Sequence, residues 1–182
     1  DVCSSDLGGL GTPRDLAAPF GSHRSLLRAT IERLREVREL DGILILSDDP
    51  HRAAELAGVP ETETLRYARV DAALMRARTE SLKASRLWAR SSWRGGLASL
   101  TAWDEVLHPA LLVPFIRELG INAVVPVGAD WALVDSTLMT AVIKCYRERP
   151  DNNRLAFSPA AAGIGSCVID SRSEEHTSEL PS

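Results

Sequence analysis

An apolar tetrad, ILIL at residues 43–46, lies within the segment DGILILSDDP of residues 41–50. A short, continuously apolar run that ends in polar residues is typical of a strand buried on both faces of a parallel sheet. Apolar residues at helical spacing follow Ser25, a suitable N-terminal cap, and predict a helix that the Asp41-Gly42 pair ends. A second short helix is predicted over residues 51–57. Helix, strand and helix in this order predict an α/β fold with a mostly parallel sheet and flanking helices.

The rest of the chain continues the same alternation. A strand is predicted over residues 64–70, a helix over residues 71–88, and a helix that begins at Pro109 and stops at Gly120. Residues 122–127 predict a second buried strand, which Pro126 ends or bulges because proline lacks a ladder donor. A helix from about Ser136 and a last strand over residues 154–158 complete the order. The residues expected to face inward are Leu112, Phe115, Ile116 and Leu119 on the Pro109 helix and Leu138, Met139, Val142, Ile143 and Tyr146 on the Ser136 helix.

The composition is that of one soluble domain and excludes several classes of protein. The 182 residues are 45% apolar, 25% charged and 5% aromatic, which excludes a disordered or collagen-like chain. No apolar run approaches the roughly 18 residues of a membrane span, and no signal peptide is visible. The three cysteines lack C-x-x-C spacing and suggest neither a disulfide framework nor a zinc site. We therefore expect a cytoplasmic protein that binds neither membranes nor nucleic acid.

The two ends of the chain correspond to one DNA stretch read in opposite directions. Residues 1–7, DVCSSDL, can be written as GAC GTG TGC TCT TCC GAT CT, and the reverse complement of that string encodes RSEEHTS, residues 172–178. The stretch resembles a short-read sequencing adapter; the alternative is coincidence between two low-complexity termini. We expect residues 1–7 and 172–182 to be adapter-like and residues 8–171 to be a partial domain. The formal net charge of −4 resides in these ends, so the segment between them is neutral.

Three features are expected at the carboxyl edge of the sheet, where open parallel sheets bind ligands. They are the glycine loop GGLGTPR at residues 8–14, the Asp48-Asp49 pair, and Asp130. A glycine loop lets backbone N–H groups approach a phosphate, and Arg14 adds a bidentate cation. A carboxylate directly after a strand, such as Asp130, can hold Mg²⁺ beside phosphates. The alternatives are an ordinary glycine turn and, for Asp130, a helix cap; Asp135 is interpreted as a cap.

Two blocks of the sequence resemble known signatures. The opening GGLGTPR (residues 8–14), followed by SLLRATIERL (residues 25–34), resembles the Gly-Gly-x-Gly-Thr-Arg opening of sugar-nucleotide nucleotidyltransferases. The block VPVGADWALVD (residues 125–135) resembles the second signature of cytidylyltransferases and of molybdenum-cofactor guanylyltransferase-like proteins. The order and the separation of the blocks also fit. The resemblance spans residues 8–158 and is dense in these two blocks.

The resemblance implies a Rossmann-like domain of the glycosyltransferase-A (nucleotide-diphospho-sugar transferase) type. It implies transfer of a nucleotidyl group from a nucleoside triphosphate to a sugar or related small-molecule acceptor, with Mg²⁺ as cofactor and release of pyrophosphate. The adapter-like residues stand where the family has its first strand, so we expect that strand to be missing. Carried over by position, Asp130 is the metal ligand and, with Arg14, a catalytic residue; Gly95 and Gly96 contact the acceptor, an ordinary loop being the alternative. The implied nucleotide-binding residues are Gly8, Gly9, Gly11, Thr12, Arg14 and Asp48.

The sequence departs from the family pattern at three places. No lysine lies within residues 15–20, Ala132 replaces the usual proline, and residues 15–24 form an untypical insertion. Two alternative functions stay open: a glycosyltransferase of the same fold, and a non-catalytic nucleotide-binding or regulatory domain. Gly128 disfavours the first, because such enzymes normally carry an Asp-x-Asp pair and Gly128 stands two residues before Asp130. The absent lysine favours the second.

The remaining conspicuous side chains are interpreted as structural. The four tryptophans are expected to pack in the core rather than to form a stacking platform. Cys145 is expected to be a small buried apolar residue on a helix. His23, His51 and His108 have no partner at metal-ligand spacing.

Overall fold

Helices and strands alternate along residues 15–77, 80, 109–160 and 163–172, the part of the chain that the computed structural model describes. This arrangement confirms the predicted α/β class. Residues 72–77 and 80 are also helical, and the rest of the helix predicted to residue 88 lies outside the described residues. The helices are α1 (Leu26–Arg35), α2 (Pro50–Ala57), α3 (Pro109–Leu119) and α4 (Ser136–Glu148), and the strands are β1 (Ile43–Ser47), β2 (Leu65–Arg69), β3 (Ala123–Val124), β4 (Leu155–Phe157) and β5 (Cys167–Asp170).

The described strands form two sheets of different type. Strands β1 and β2 run parallel, with Ile43 opposite Leu65 and Ser47 opposite Arg69. Strands β3, β5 and β4 form an antiparallel sheet in that order. The prediction that residues 154–158 are the last strand was wrong, because β5 follows and lies at the centre of this sheet. All four residues of β5 are buried, so its sequence shows no alternation between apolar and polar residues.

Helix α1 begins where the sequence predicts and ends earlier. The Ser25 side chain accepts a hydrogen bond from the backbone N–H of Arg28 and caps the helix. The helix ends at Arg35 rather than at the Asp41-Gly42 pair. Tight turns follow, in which the N–H of Val37 donates to Leu34 O and the N–H of Leu40 to Val37 O. Because Val37 stays buried in these turns, its apolar spacing looked like a continuation of the helix.

Strand β1 is less buried than its apolar sequence predicts. Residues 43–46 are half-buried, and Ser47 is the fully buried residue of the strand. Among the described strands, β1 pairs with β2 along one edge. The expectation that residues 43–46 are buried on both faces was therefore wrong, since the described elements cover these side chains only in part.

Helix α3 follows its predicted bounds but buries a different face. Gly120 adopts φ +63°, a left-handed conformation that glycine accepts at a helix end. Of the four residues predicted to face inward, Ile116 is buried, whereas Leu119 is exposed. Leu111 and Val113 are buried instead. Because α3 carries apolar residues on most sides, periodicity alone could not select the buried face.

Strand β3 ends at Val124, two residues before Pro126, in agreement with the predicted effect of that proline. Helix α4 is capped by Asp135, as predicted: its side chain accepts from the N–H groups of Thr137 and Leu138. Four of the five α4 residues predicted to face inward are buried, and Leu138 is half-buried. Cys145 is exposed on this helix, so the prediction of its burial was wrong.

Two hydrophobic clusters hold these elements together. The α4 core packs helix α4 against the antiparallel sheet, and the α1 core packs helices α1 and α2 against the parallel strands. Ile43 of β1 contacts both clusters. No described helix combines the length and the apolar character that a membrane crossing requires. The α4 core comprises Leu34, Val37, Trp131, Val134, Met139, Val142, Ile143, Tyr146, Ala156 and Val168, and the α1 core comprises Leu16, Leu27, Ile31, Ala53, Ala57, Val59 and Leu65.

Candidate functional site

The chain forms two consecutive tight turns after the carboxyl end of β3. The N–H of Trp131 donates to Gly128 O at 3.1 Å, and the N–H of Val134 donates to Trp131 O at 3.0 Å. Asp130 lies in the first turn and is half-buried. The N–H of Asp135 donates to Ile164 O at 3.0 Å and ties the second turn to the segment that precedes β5. We call residues 128–131 the Asp130 turn.

The Asp130 turn is close-packed around Gly128. A Cβ atom added to Gly128 would lie 2.5 Å from Trp131 Nε1 and 2.8 Å from Asp130 Oδ1. The indole nitrogen and the carboxylate oxygen therefore approach the same α-carbon. Trp131 is 3% exposed and belongs to the α4 core, which confirms the predicted packing role for this tryptophan.

Contacts with α1 place the Asp130 turn beside the parallel strands. The Thr30 hydroxyl lies 3.0 Å from Ala129 O and 3.2 Å from Leu26 O, both acceptors. Ala129 packs against the α1 core, as do Ile43 and Ile45 of β1. The turn after β3 and the strand β1 thus share one packing region, as a site at the sheet edge requires.

Asp48 follows β1 directly, as predicted, and lies next to both a cationic side chain, Arg69, and a second carboxylate, Asp49. Its Oδ1 atom is buried, and the Arg69 guanidinium at the end of β2 donates to the Asp48 carbonyl. Ser47 is fully buried, and its hydroxyl accepts from the N–H of Asp49 at 3.0 Å. Asp49 caps α2 by accepting from the N–H of Arg52 at 3.2 Å. The carboxyl end of the parallel pair therefore presents Asp48 next to a cation.

The segment before β5 completes the surroundings of the Asp130 turn, and the sequence did not point to it. The α-carbon of Gly163 faces the Trp131 indole, where an added Cβ would lie 3.9 Å from Cδ1. The N–H of Ser166 donates to Ser158 Oγ at 3.2 Å. The Ser166 hydroxyl is fully buried and has no hydrogen-bond partner among the described residues. Only the run of small residues over 160–166 marks this segment in the sequence.

Of the predicted site residues, the structure describes Asp48 and Asp130. Asp48 directly follows β1, as expected. Asp130 does not directly follow a strand, because β3 ends at Val124 and belongs to the antiparallel sheet, so that prediction was wrong. The predicted residues that lie outside the described part of the chain are Gly8, Gly9, Gly11, Thr12, Arg14, Gly95 and Gly96.

A magnesium ion fits Asp130 if it arrives with a nucleotide. The described residues contain no group of three or more histidine, cysteine, aspartate or glutamate side chains that could hold a metal ion. Mg²⁺ is, however, commonly held by one or two carboxylates together with substrate phosphates, and it keeps several waters. A half-buried carboxylate is such a donor.

His23 forms an ion pair with a helix carboxylate rather than a metal site. Its Nδ1 atom lies 2.9 Å from Glu32 Oε2, and a hydrogen bond from Arg28 lowers the pKa of Glu32.

A groove of about 580 Å³ lies between α1 and α2, away from the Asp130 turn. Its charged lining has a structural explanation, because the Arg24 guanidinium lies beside the carboxyl end of α2. Arg24 Nη1 is 2.7 Å from the position that a Cβ atom on Gly58, the C-terminal cap of α2, would occupy. Cations are favourable at the negative end of a helix dipole. The lining residues are Ala17, Arg24, Ser25, Arg52, Glu55, Leu56 and Gly58.

The strongest electrostatic cluster lies at the opposite end of β3. Asp170 pairs with Ala123, the first residue of that strand. Hydrogen bonds from Arg172 hold the pKa of the Asp170 carboxyl well below its usual range, and Tyr146 also donates to it at 2.8 Å. Burial and this hydrogen bond raise the pKa of Tyr146 to about 12. Arg154 contributes a further ion pair at 3.3 Å. The Asp170 cluster therefore stabilises the antiparallel sheet rather than the candidate site.

Comparison with known proteins relates this geometry to one class of fold. No protein-family model matches the sequence, and no curated protein matches it. The structure is similar to that of a cytidylyltransferase from Leptospira borgpetersenii serovar Hardjo-bovis, with a TM-score of 0.64 and 14% sequence identity. The similarity covers 97% of this chain and 61% of the Leptospira chain. The chain thus has an α/β fold similar to that of this cytidylyltransferase and spans about three fifths of the length of the Leptospira chain.

Proposed function

We propose that the chain is a nucleotidyltransferase domain, which transfers a nucleotidyl group from a nucleoside triphosphate to a sugar or related small-molecule acceptor. The observation that carries the proposal is the Asp130 turn, a constrained carboxylate that follows β3 in a fold similar to that of a cytidylyltransferase. The two sequence blocks at residues 8–14 and 125–135 support the same function. Their resemblance to family signatures is independent of the structural similarity.

In this proposal, each group at the site has one task. Asp130 holds Mg²⁺ on the phosphates, and Asp48 lies on the nucleotide side. When bound, Mg²⁺ supplies neutralisation of the negative charge on the phosphate oxygens. Gly95 and Gly96 contact the acceptor. The glycine loop and its cation bind the triphosphate through Gly8, Gly9, Gly11, Thr12 and Arg14.

The reaction requires little covalent participation from the protein. An acceptor oxygen forms a bond to the α-phosphorus while the bond from that phosphorus to the bridging oxygen breaks, and pyrophosphate leaves with the electron pair. Positioning and neutralisation of charge supply most of the rate in such in-line transfers. A half-buried carboxylate in a close-packed turn suits that requirement for positioning.

Pyrophosphate release tests the proposal. The protein is incubated with each of the four common nucleoside triphosphates, Mg²⁺ and a panel of sugar phosphates, and pyrophosphate is measured by a coupled assay. Asp130→Asn is expected to lower the rate by about a hundredfold or more, as loss of a group that stabilises the transition-state charge does. Asp135→Asn is the matched control, because it removes a neighbouring carboxylate while asparagine still caps α4. Equal rates in the two variants would contradict the role of Asp130.

A non-catalytic nucleotide-binding domain is the second candidate function. The observation that favours it is the absence of lysine from residues 15–20, where the resembling enzymes contact phosphate. This alternative predicts saturable, Mg²⁺-dependent nucleotide binding without pyrophosphate release for any nucleotide and acceptor in the panel.

A further inference from the structure

The Trp131 ring is fixed from several sides. Its side chain is 3% exposed and packs in the α4 core. Its backbone N–H donates to Gly128 O at 3.1 Å, and the α-carbon of Gly163 faces the edge of the indole. A ring held in this way has little rotational freedom, because a different rotamer would displace core side chains.

Glycine at position 128 is required for space rather than for backbone conformation. Gly128 is not among the described glycines with positive φ, so alanine is compatible with its backbone. A Cβ at this position would nevertheless lie 2.5 Å from Trp131 Nε1, 2.7 Å from Trp131 Cδ1 and 2.8 Å from Asp130 Oδ1. Real Cβ atoms essentially never make contacts shorter than 3.0 Å. The indole and the carboxylate thus occupy the volume that any other residue would fill.

We propose that Trp131 is a positioning residue, whose buried indole and the bare α-carbon of Gly128 together fix the orientation of the Asp130 carboxylate toward the metal–nucleotide complex. This inference rests on the proposed function of Asp130. Groups that orient a metal ligand typically change metal affinity or activity by about 10- to 100-fold when they are mutated. Trp131 packs in the α4 core, and its Nε1 atom and Asp130 Oδ1 lie within 2.8 Å of the same position beside Gly128. A shift of the indole would therefore change the space open to the carboxylate.

Two variants perturb the arrangement by different means. Trp131→Phe keeps an aromatic ring in the core and removes the indole N–H. Gly128→Ala keeps the indole and forces Asp130 or Trp131 to move. Gly42→Ala is the matched control, because its Cβ would lie 3.5 Å from Thr64 O, an ordinary contact. Gly42 is likewise not among the positive-φ glycines.

The readout is the affinity for CTP with and without Mn²⁺, measured by equilibrium dialysis, with a thermal melt of each variant. We expect Trp131→Phe and Gly128→Ala to reduce the enhancement of CTP affinity by Mn²⁺ about tenfold. The affinity in the absence of metal is expected to be unchanged. A purely structural role would lower the melting temperature and the fraction of active protein without moving the metal-dependent part of the affinity.

The outcomes separate this inference from the proposed function. If Asp130→Asn abolishes the enhancement while both variants keep the parental value, Trp131 does not position the carboxylate and the inference is overturned. If Asp130→Asn keeps the enhancement, the metal role of Asp130 is wrong and the positioning role is overturned with it. Should Trp131→Phe fail to fold, Gly128→Ala decides the question alone, since it changes no core side chain chemically.

Discussion

The two sheets of the molecule bury their strands to different degrees. In the parallel pair, four of the five residues of β1 are half-buried. In the antiparallel sheet, all four residues of β5 are buried between β3 and β4. Side chains point toward the two faces of a sheet, so the difference reflects what covers those faces, and the α4 core packs on β5. Strand β5 is therefore the most deeply buried of the described strands.

The two candidate carboxylates differ in the same way. Asp130 Oδ1 and the indole of Trp131, which packs in the α4 core, both lie close to the α-carbon of Gly128. Asp48 follows the half-buried strand β1, and its carbonyl accepts from Arg69, an exposed side chain. A carboxylate that must hold one orientation is supported best by buried side chains, because their rotamers are restricted by packing. The two carboxylates thus differ in their neighbours: the Trp131 indole lies close to Asp130, whereas the Asp48 Oδ1 atom is buried beside a backbone carbonyl that accepts from Arg69.

Met139→Ala is expected to give the largest effect on stability. Met139 is 0% exposed in the α4 core, and truncation of a buried methionine costs about 2–5 kcal/mol. Leu138→Ala is the control, because the neighbouring Leu138 is only half-buried and its truncation should cost less. Urea denaturation of both variants measures the difference. Equal losses would contradict the stated buried face of α4.

Tyr146→Phe is expected to have the next largest effect. The variant removes the hydrogen bond that Tyr146 donates to Asp170 at 2.8 Å. A buried hydrogen bond to a charged group contributes about 1.5–3 kcal/mol. Phenylalanine keeps the packing, so the loss measured by urea denaturation reports on the hydrogen bond. A variant as stable as the parent at pH 7 would show that the Asp170 cluster does not strengthen the antiparallel sheet.

The Asp170 cluster also predicts how the free energy of unfolding depends on pH in the acid range. The pKa of Asp170 is lowered in the folded state, so its contribution is fully present above the unfolded value of about 3.9. That contribution is lost as the pH falls below that value, because the unfolded state then binds more protons. Asp170→Asn should therefore flatten the decline of unfolding free energy below about pH 4. An unchanged acid limb in this variant would contradict the assignment.

Much of the architecture is local information that the sequence carries. Ser25 and Asp135 mark helix starts because their side chains satisfy free N–H groups, and both do so in the structure. Residues 43–47 and 65–69 form the predicted strands. Asp48 directly follows a strand as predicted, since polar residues after an apolar run mark its end.

The missed features depend on contacts between distant residues. Strand β5 is recognisable only by its pairing with β3 and β4, because CVID at residues 167–170 lacks a strand pattern. The early end of α1 reflects its turns and the ion pairs that residues 36–41 make with α4, such as Lys144 with Glu39 at 3.3 Å. The convergence of Trp131 and Asp130 on Gly128 is a matter of side-chain direction, which spacing along the chain does not encode.

Thr30→Val tests the contact between the two regions. It removes the hydroxyl that lies 3.0 Å from Ala129 O, while valine keeps the shape of the side chain. A net loss of about 0.5–1.5 kcal/mol is expected for one hydrogen bond of this kind. The control is Thr137→Val, since Thr137 is exposed on α4. Chemical denaturation that gives the same value for both variants would show that this contact does not couple α1 to the Asp130 turn.

Lys144→Ala should have the smallest effect. The Lys144 side chain is 63% exposed, and its pair with Glu39 is 3.3 Å long. Exposed pairs contribute about 0–1 kcal/mol, and salt screens them. The loss of stability should therefore shrink when denaturation is repeated at high salt. A large loss that does not depend on salt would place this contact with the buried groups of the α4 core.

Label transfer tests the central claim most directly. The protein is incubated with Mg²⁺, an acceptor panel and nucleoside triphosphates labelled either at the α- or at the γ-phosphorus. The account predicts that α-label appears in the acceptor and γ-label in pyrophosphate, and that Asp130→Asn suppresses both while Asp135→Asn does not. Transfer of γ-label to the acceptor, or α-label transfer that survives Asp130→Asn, would contradict it.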